Sequence, residues 1–192
     1  MKDYIQKQFT DSIFTKQKAI EDKEILQTLQ DISQKAIEVY KQKGKILIAG
    51  NGGSAADSQH IAGELISRFY FDRPGLAAIA LNTDSSTLTA IGNDYGYEHV
   101  FARQIEANGN SGDIFIGIST SGNSKNIIRA LSIAREKGLV TIGFTGESGG
   151  AMLELCDFCL KVPSRDTPRI QECHILFGHI ICACIEKELF GN

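Results

Sequence analysis

His60 and Glu64 stand four residues apart in a segment with helical spacing, so an imidazole and a carboxylate share one helix face about a turn from each other. Such a pair can hold one metal ion or one substrate, and it can move protons. The segment follows Gly50-Asn51-Gly52-Gly53-Ser54-Ala55, which itself follows the apolar run Ile46 to Ala49. Strand, tight loop and helix are therefore predicted in succession. Glycines let the backbone approach a ligand, and the free N–H groups opening the helix favour an anion or a hydroxyl-rich molecule. Ser54 is expected as the N-cap of that helix, with Asp57 three residues on completing a capping box.

A second loop carries more specific chemistry. Ser119-Thr120-Ser121-Gly122-Asn123-Ser124 brings four hydroxyls and several backbone N–H groups to a helix N-terminus. These can surround a phosphate monoester without lysine or arginine, because the donors and the helix dipole stabilise the charge. A serine-rich turn with one N-cap would use only one or two of the hydroxyls. The first loop also matches the G-x-G-x-x-G/A dinucleotide pattern, but the next apolar run ends Leu81-Asn82, with no acid for a ribose. No glycine loop precedes Lys-Ser or Lys-Thr either, so no nucleotide cofactor is expected.

Both loops need a frame. Residues 1–43 carry no strand signal and read as two amphipathic helices, marked by Ile5, Phe9 and Ile13 and then by Ile25, Leu29, Ile32, Ala36 and Tyr40. Placed before the first strand, they must cover the sheet or meet another subunit. Further strands are predicted at Leu76 to Leu81, Asp113 to Ile118, Leu139 to Thr145 and Phe158 to Val162. Between them come helices from Ser85 to Ile91, from Tyr97 to Ala107 and from Ser124 to Lys137, with a polar loop at Gly92-Asn93-Asp94-Tyr95-Gly96 and a short helix at Ala151 to Leu155. Pro168 opens the last helix, to about Leu189. Alternating strands and helices argue for an α/β, three-layer fold: a five-stranded parallel sheet flanked by helices, Rossmann-like or flavodoxin-like, with the ligand at the carboxyl ends of the strands.

Composition sets the outer limits. The 192 residues, 42% apolar and 22% charged, suit one domain, here 44–192, preceded by the helical segment 1–43 that packs on the core and on other subunits. A net charge of −3 without a basic cluster argues against nucleic acid. The longest apolar run, around Ile175 to Ile185, is too short to cross a membrane, and the N-terminus lacks an apolar signal core, so a cytoplasmic protein is expected. Five cysteines, an odd number, fit a reducing compartment; Cys156-x-x-Cys159 reads as two small residues flanking a strand start.

Gly50-Asn51-Gly52-Gly53-Ser54, Asn82-Thr83-Asp84, Gly92-Asn93-Asp94, Ser119-Thr120-Ser121-Gly122-Asn123-Ser124 and Arg169-Ile170-Gln171-Glu172 resemble, in order and spacing, the sugar isomerase (SIS) domain family. The likeness covers nearly the whole chain. It implies a homotetramer that converts sedoheptulose 7-phosphate to D-glycero-D-manno-heptose 7-phosphate through an enediol, the first step towards nucleotide-activated heptose for lipopolysaccharide or capsule. It implies that Ser119, Thr120, Ser121 and Ser124 hold the phosphate and that Asn51, Gly52, Gly53, Ser54, Asn93, Asp94 and Gln171 touch the substrate. It further implies Glu64 and His179 as the catalytic acid/base pair and one Zn²⁺ per subunit on His60, Glu64, Gln171 and His179. One departure is Pro168, where some relatives carry a polar residue.

Two features of the residues bear on that implied site. Gln171 and His179 lie eight residues apart on one helix, about 12 Å along its axis and roughly 80° around it, so a metal must lie between them or one ligand must come from a neighbouring subunit. His174 is nearer Gln171 and is the alternative ligand, while His99 is expected at the surface. The family also contains tetrameric adaptors that bind the replication initiator and isomerases of other phosphosugars. The adaptors lack the Glu of the H-x-x-x-E pair and the late histidine; this chain has His60, Glu64 and His179 together, which favours an enzyme.

Overall fold

The computed structural model describes residues 1–191. Strands β1 (Ile46–Gly50), β2 (Ala78–Ala80), β3 (Ile114–Ile118), β4 (Val140–Thr145) and β5 (Phe158–Lys161) form one parallel sheet in the order β2-β1-β3-β4-β5. Every residue of β1 and β3 is buried, which explains why they read as unbroken apolar runs: both faces of the sheet are covered. Ile46, Ile48, Ile114, Ile116, Ile142 and Phe144 face one layer, formed by helices α2 (Lys23–Lys41), α3 (Gly53–Ile66) and α7 (Thr167–Phe190). Leu47, Ala49 and Phe115 face the other, with α5 (Ala102–Asn108) and α6 (Lys125–Glu136). The predicted three-layer sheet is thus the observed one.

The strand order decides where a ligand can go. From β1 the chain crosses to β2 on one side and then returns to β3 on the other, and β1 and β3 pair in register from Ile46↔Ile114 to Gly50↔Ile118. The loops after Gly50 and Ile118 therefore leave the sheet level with each other and diverge, opening a crevice at the switch point.

Several boundaries differ from those predicted, each for a local reason. α3 is entered from Gly52, whose φ of 58° lets the chain turn into the helix earlier than a serine cap allows. Ser54 is therefore a buried residue of the first turn and not the N-cap, and no capping box with Asp57 forms. Helix α4 (Ser85–Tyr95) runs straight through Gly92-Asn93-Asp94, which were expected as a loop. Asp84 caps its start by accepting from Thr87 N–H, and only Gly96, at φ 91°, ends it; the helical cost of an interior glycine, about 1 kcal/mol, is too small to break it. The helix expected from Tyr97 to Ala107 is instead a 3₁₀ turn at Tyr97–His99 followed by α5. The short helix at Ala151–Leu155 is likewise 3₁₀, and β2 is shorter than its apolar run.

At the N-terminus, α1 (Lys2–Glu21) meets α2 at Asp22, whose carboxylate accepts from Glu24 and Ile25 N–H. α2 buries Ile25, Leu29, Ile32, Ala36 and Ile37, but α1 buries only Thr15 and Ala19. Tyr4, Ile5, Phe9, Ile13, Phe14 and Ile20 stay exposed. Among the described residues no helix is long and apolar enough to cross a membrane.

His174 is fully buried on α7, with Nε2 3.1 Å from the Thr145 carbonyl and Nδ1 without a partner. It faces the sheet and is not available as the alternative metal ligand. Burial pushes its pKa down from 6.5 to about 4. The unfolded chain therefore binds the proton first, and the stability His174 contributes is intact above pH 6.5 and lost as pH falls toward 4. Between pH 7 and pH 5 the loss is about 2 kcal/mol. Urea unfolding at the two pH values should show stability changing less favourably toward pH 5, by about this amount, in the unmodified protein than in His174→Gln.

Candidate active site

At the end of β3 the predicted phosphate loop is built as a cradle. Ser119 is buried and its Oγ lies 2.9 Å from the Oγ of Ser124, the residue before α6. Ser121 Oγ accepts from the N–H of Asn123, and the Asn123 side chain bridges Ser121 O and Ala151 N–H. Gly122, at φ 68°, packs so closely on Gly149 that a Cβ would sit 2.0 Å from its carbonyl oxygen, so no other residue fits. Ser124 makes no side-chain cap bond to its helix; Ile127 N–H goes to Asn126 Oδ1 and Ser124 O, while the N–H groups of Lys125 and Asn126 are left for an acceptor. A cleft of about 470 Å³ opens here, lined by Thr120, Ser121, Asn123, Ser164 and Thr167, roomy enough for a phosphorylated sugar.

The loop after β1 is braced by amides. Asn51 and the buried Asn126 of α6 exchange two hydrogen bonds of 2.9 Å, and Tyr97 Oη donates to Asn51 Oδ1 at 3.2 Å. Asn82 donates to Gly50 O at 2.7 Å and accepts from Gly50 N–H. The residue standing where a dinucleotide site needs an acid therefore holds the strand end. Asn126, Tyr97 and Asn82 were not foreseen as site residues, since isolated polar residues carry no periodic signal. Asn93 and Asp94 lie exposed on α4, with Asn93 Nδ2 donating to Asp94 Oδ1 at 2.8 Å.

His60, Glu64 and His179 converge. His60 Nε2 is 2.9 Å from His179 Nε2 and 3.2 Å from Glu64 Oε1, and one ligand atom from each of the three lies within 4.8 Å of the others. The imidazole rings sit 5.0 Å apart, and Phe69 packs on His179 at 5.7 Å. What allows this is Gly178: a Cβ there would stand 2.5 Å from Ile61 Cδ1, so α7 approaches α3 at its most crowded point only because the side chain is missing. Two imidazole nitrogens and a carboxylate oxygen form a donor set that suits Zn²⁺ with a position left open, so these residues fit the metal.

Other site residues lie off this cluster. The Gln171 amide packs against Gly53, where a Cβ would be 2.6 Å from Nε2, about two turns along α3 from His60. It is therefore held at the loop end of the site. Asp57, between the loop and the cluster, keeps Oδ2 buried without a partner, and burial raises its pKa to about 6 against the opposing influence of His60. His99 lies outside the site, with Nε2 2.8 Å from Arg129 Nη1.

A parallel sheet with a hydroxyl cradle at its switch point and a His/Glu/His cluster on the adjoining helices defines a sugar-phosphate domain, and the chain belongs to the SIS domain family, whose profile matches residues 8–146. It is 62% identical over 192 residues to "Phosphoheptose isomerase" of Aneurinibacillus thermoaerophilus, covering 100% of this chain and 97% of that one. Identity to "Phosphoheptose isomerase 2" of Campylobacter jejuni is also 62%, over 98% of this chain and 94% of the other. The solved phosphoheptose isomerase of Neisseria gonorrhoeae superposes with a TM-score of 0.91 at 43% identity, covering 97% and 98% of the two chains. That of Francisella tularensis gives 0.93 at 37% identity, covering 96% and 97%.

Gly178→Ala should push α7 off Ile61, costing about 1–3 kcal/mol of stability and weakening Co²⁺ binding as followed by its visible absorption. Unchanged Co²⁺ affinity would show that the close helix approach does not set the cluster.

Proposed function

We propose that this chain interconverts sedoheptulose 7-phosphate and D-glycero-D-manno-heptose 7-phosphate, feeding nucleotide-activated heptose for lipopolysaccharide or capsule. It is an aldose–ketose isomerase, an intramolecular oxidoreductase. Full-length identity to phosphoheptose isomerases supports the reading, and the convergence of Glu64 and His179 beside His60 carries it. A module that only bound a partner would gain nothing from a carboxylate and two imidazoles gathered at one point.

The reaction moves a proton from C1 of the ketose to C2 of the aldose. Glu64 takes the proton from C1 and returns it to C2; His179 gives a proton to the oxygen at C2 and takes one from the oxygen at C1, so that a neutral enediol forms rather than an enediolate anion. The cradle from Ser119 to Ser124 holds the phosphate, and Asn51, Gly52, Gly53, Ser54, Asn93, Asp94 and Gln171 serve the sugar hydroxyls. Zn²⁺ on His60, Glu64 and His179 would polarise the carbonyl as a Lewis acid. Glu64 can act as base only when it is free of the metal.

The distance between the two ends of this site supports a self-assembled enzyme. Glu64 lies eleven residues beyond Gly53, about 16 Å along α3. That separation between the loop end and the base favours a site in which one copy's cluster works beside another's cradle. The exposed apolar face of α1 is the kind of surface that buries on association. A homotetramer, with residues 1–43 meeting other copies and with its phosphorylated substrate in the cytoplasm, is consistent with both.

Purified protein given sedoheptulose 7-phosphate should form the aldose, with Glu64→Gln and His179→Ala each lowering kcat by about 10²–10⁴-fold. No turnover by the unmodified protein, with or without zinc, overturns the assignment. Co-assembled Glu64→Gln and Ser119→Ala subunits should recover activity that neither has alone, because one mixed site is then intact. Absence of any recovery in a mixed oligomer would place each site within one chain.

A further inference from the structure

We propose that Arg73 and Glu186 are positioning residues for the proton-transfer pair, a buried ion pair that sets the end of α3 carrying Glu64 against the face of α7 carrying His179. The inference rests on the isomerase reading for its kinetic consequence, but not for its geometry.

Glu186 follows His179 by two turns of α7 and is fully buried. Its carboxylate accepts from the backbone N–H groups of Phe69 at 2.8 Å, Phe71 at 3.1 Å and Tyr70, and from Arg73 Nε at 3.0 Å. Burial alone would raise its pKa, but these donors together hold the carboxyl below its usual range, so it remains ionised. The Arg73 guanidinium, only 2% exposed, turns its other two nitrogens to α3. Nη1 donates to Leu65 O at 2.6 Å and Nη2 to Glu64 O at 2.9 Å. Those carbonyls belong to the last turn of the helix, where no further helical N–H is available to them.

One carboxylate therefore governs both members of the pair. Through Arg73 it holds the backbone of Glu64 itself. Through the Phe69 N–H it orders the segment whose ring lies against the His179 imidazole, 5.7 Å between centroids. Apart from the imidazole pair that is to be positioned, the contact between α3 and α7 at this level is apolar, Ile61 over Gly178, and apolar surfaces slide past each other at little cost. A planar guanidinium whose directed bonds join Glu186 to the carbonyls of Leu65 and Glu64 does not. If the pair merely filled the core, neutral residues of similar volume would serve equally well. Its directed bonds end instead on the residue that carries the base, where a displacement of about 1 Å can cost on the order of 10²-fold in rate.

Arg73→Lys keeps a cation against Glu186 but removes the fork to Leu65 and Glu64. The double variant Arg73→Met with Glu186→Gln removes the charges and leaves no buried ion unpaired, so it is expected to fold. Both should lower kcat at least tenfold while KM for the sugar phosphate stays within twofold, because the Ser119–Ser124 cradle is untouched. Co²⁺ affinity at the His60, Glu64 and His179 cluster should fall at least tenfold. A folded variant of either kind with unmodified kcat and Co²⁺ affinity overturns the proposal, as does a kcat loss matched by an equal change in KM. If the unmodified protein fails to turn over sedoheptulose 7-phosphate, the isomerase reading falls and the Co²⁺ comparison alone decides the clamp.

Discussion

The contact of α3 with α7 is the constraint on which the rest depends. α3 begins at the loop after β1 and carries His60 and Glu64; α7 begins beside Gln171 and carries His174 and His179. Their approach at Ile61 and Gly178 brings the two imidazole Nε2 atoms to 2.9 Å, with the Glu64 carboxylate 3.2 Å from His60. Two imidazoles and a carboxylate thus meet at one point, groups that can take up and pass on protons.

The sheet supplies the other half. With β1 and β3 in register and the order reversing between them, the two glycine- and serine-rich loops leave the same edge at the same level. The amide pair of Asn51 and Asn126 then ties one loop to the helix that follows the other, so the two sides of the crevice cannot move independently. The cradle is neutral: it offers hydroxyls and backbone N–H groups and relies on the helix end for its positive potential. A phosphate monoester held this way keeps its orientation, since each donor has a direction, while a lysine would act more nearly as a point charge.

Parts of this were legible in the chain. Unbroken apolar runs at 46–49 and 114–118 announced strands covered on both faces, and the loop after the second showed its four hydroxyls in six positions. His60 and Glu64 were paired by helical spacing alone. The errors have local causes: an interior glycine in α4 and a serine beside Gly52 were read by composition, whereas the neighbouring backbone angles decided the outcome. Asn126 gave no warning, because a single polar residue in an amphipathic helix looks the same whether it faces water or closes a network, and neither did Arg73, a lone cation in the loop between α3 and β2.

The sequence by itself determined the order of strands and helices, the two loops and the chemistry those loops can offer, because each follows from local periodicity and turn residues. It also assigned the family, through several linked motifs. Only the tertiary structure decided that His179, 115 residues after Glu64, stands beside it, that His174 belongs to the core, and that Gln171 stays near the loop. Those outcomes depend on the angle and depth at which two helices pack, and that is set by one missing side chain at Gly178 and one buried ion pair. Neither leaves a periodic trace along the chain.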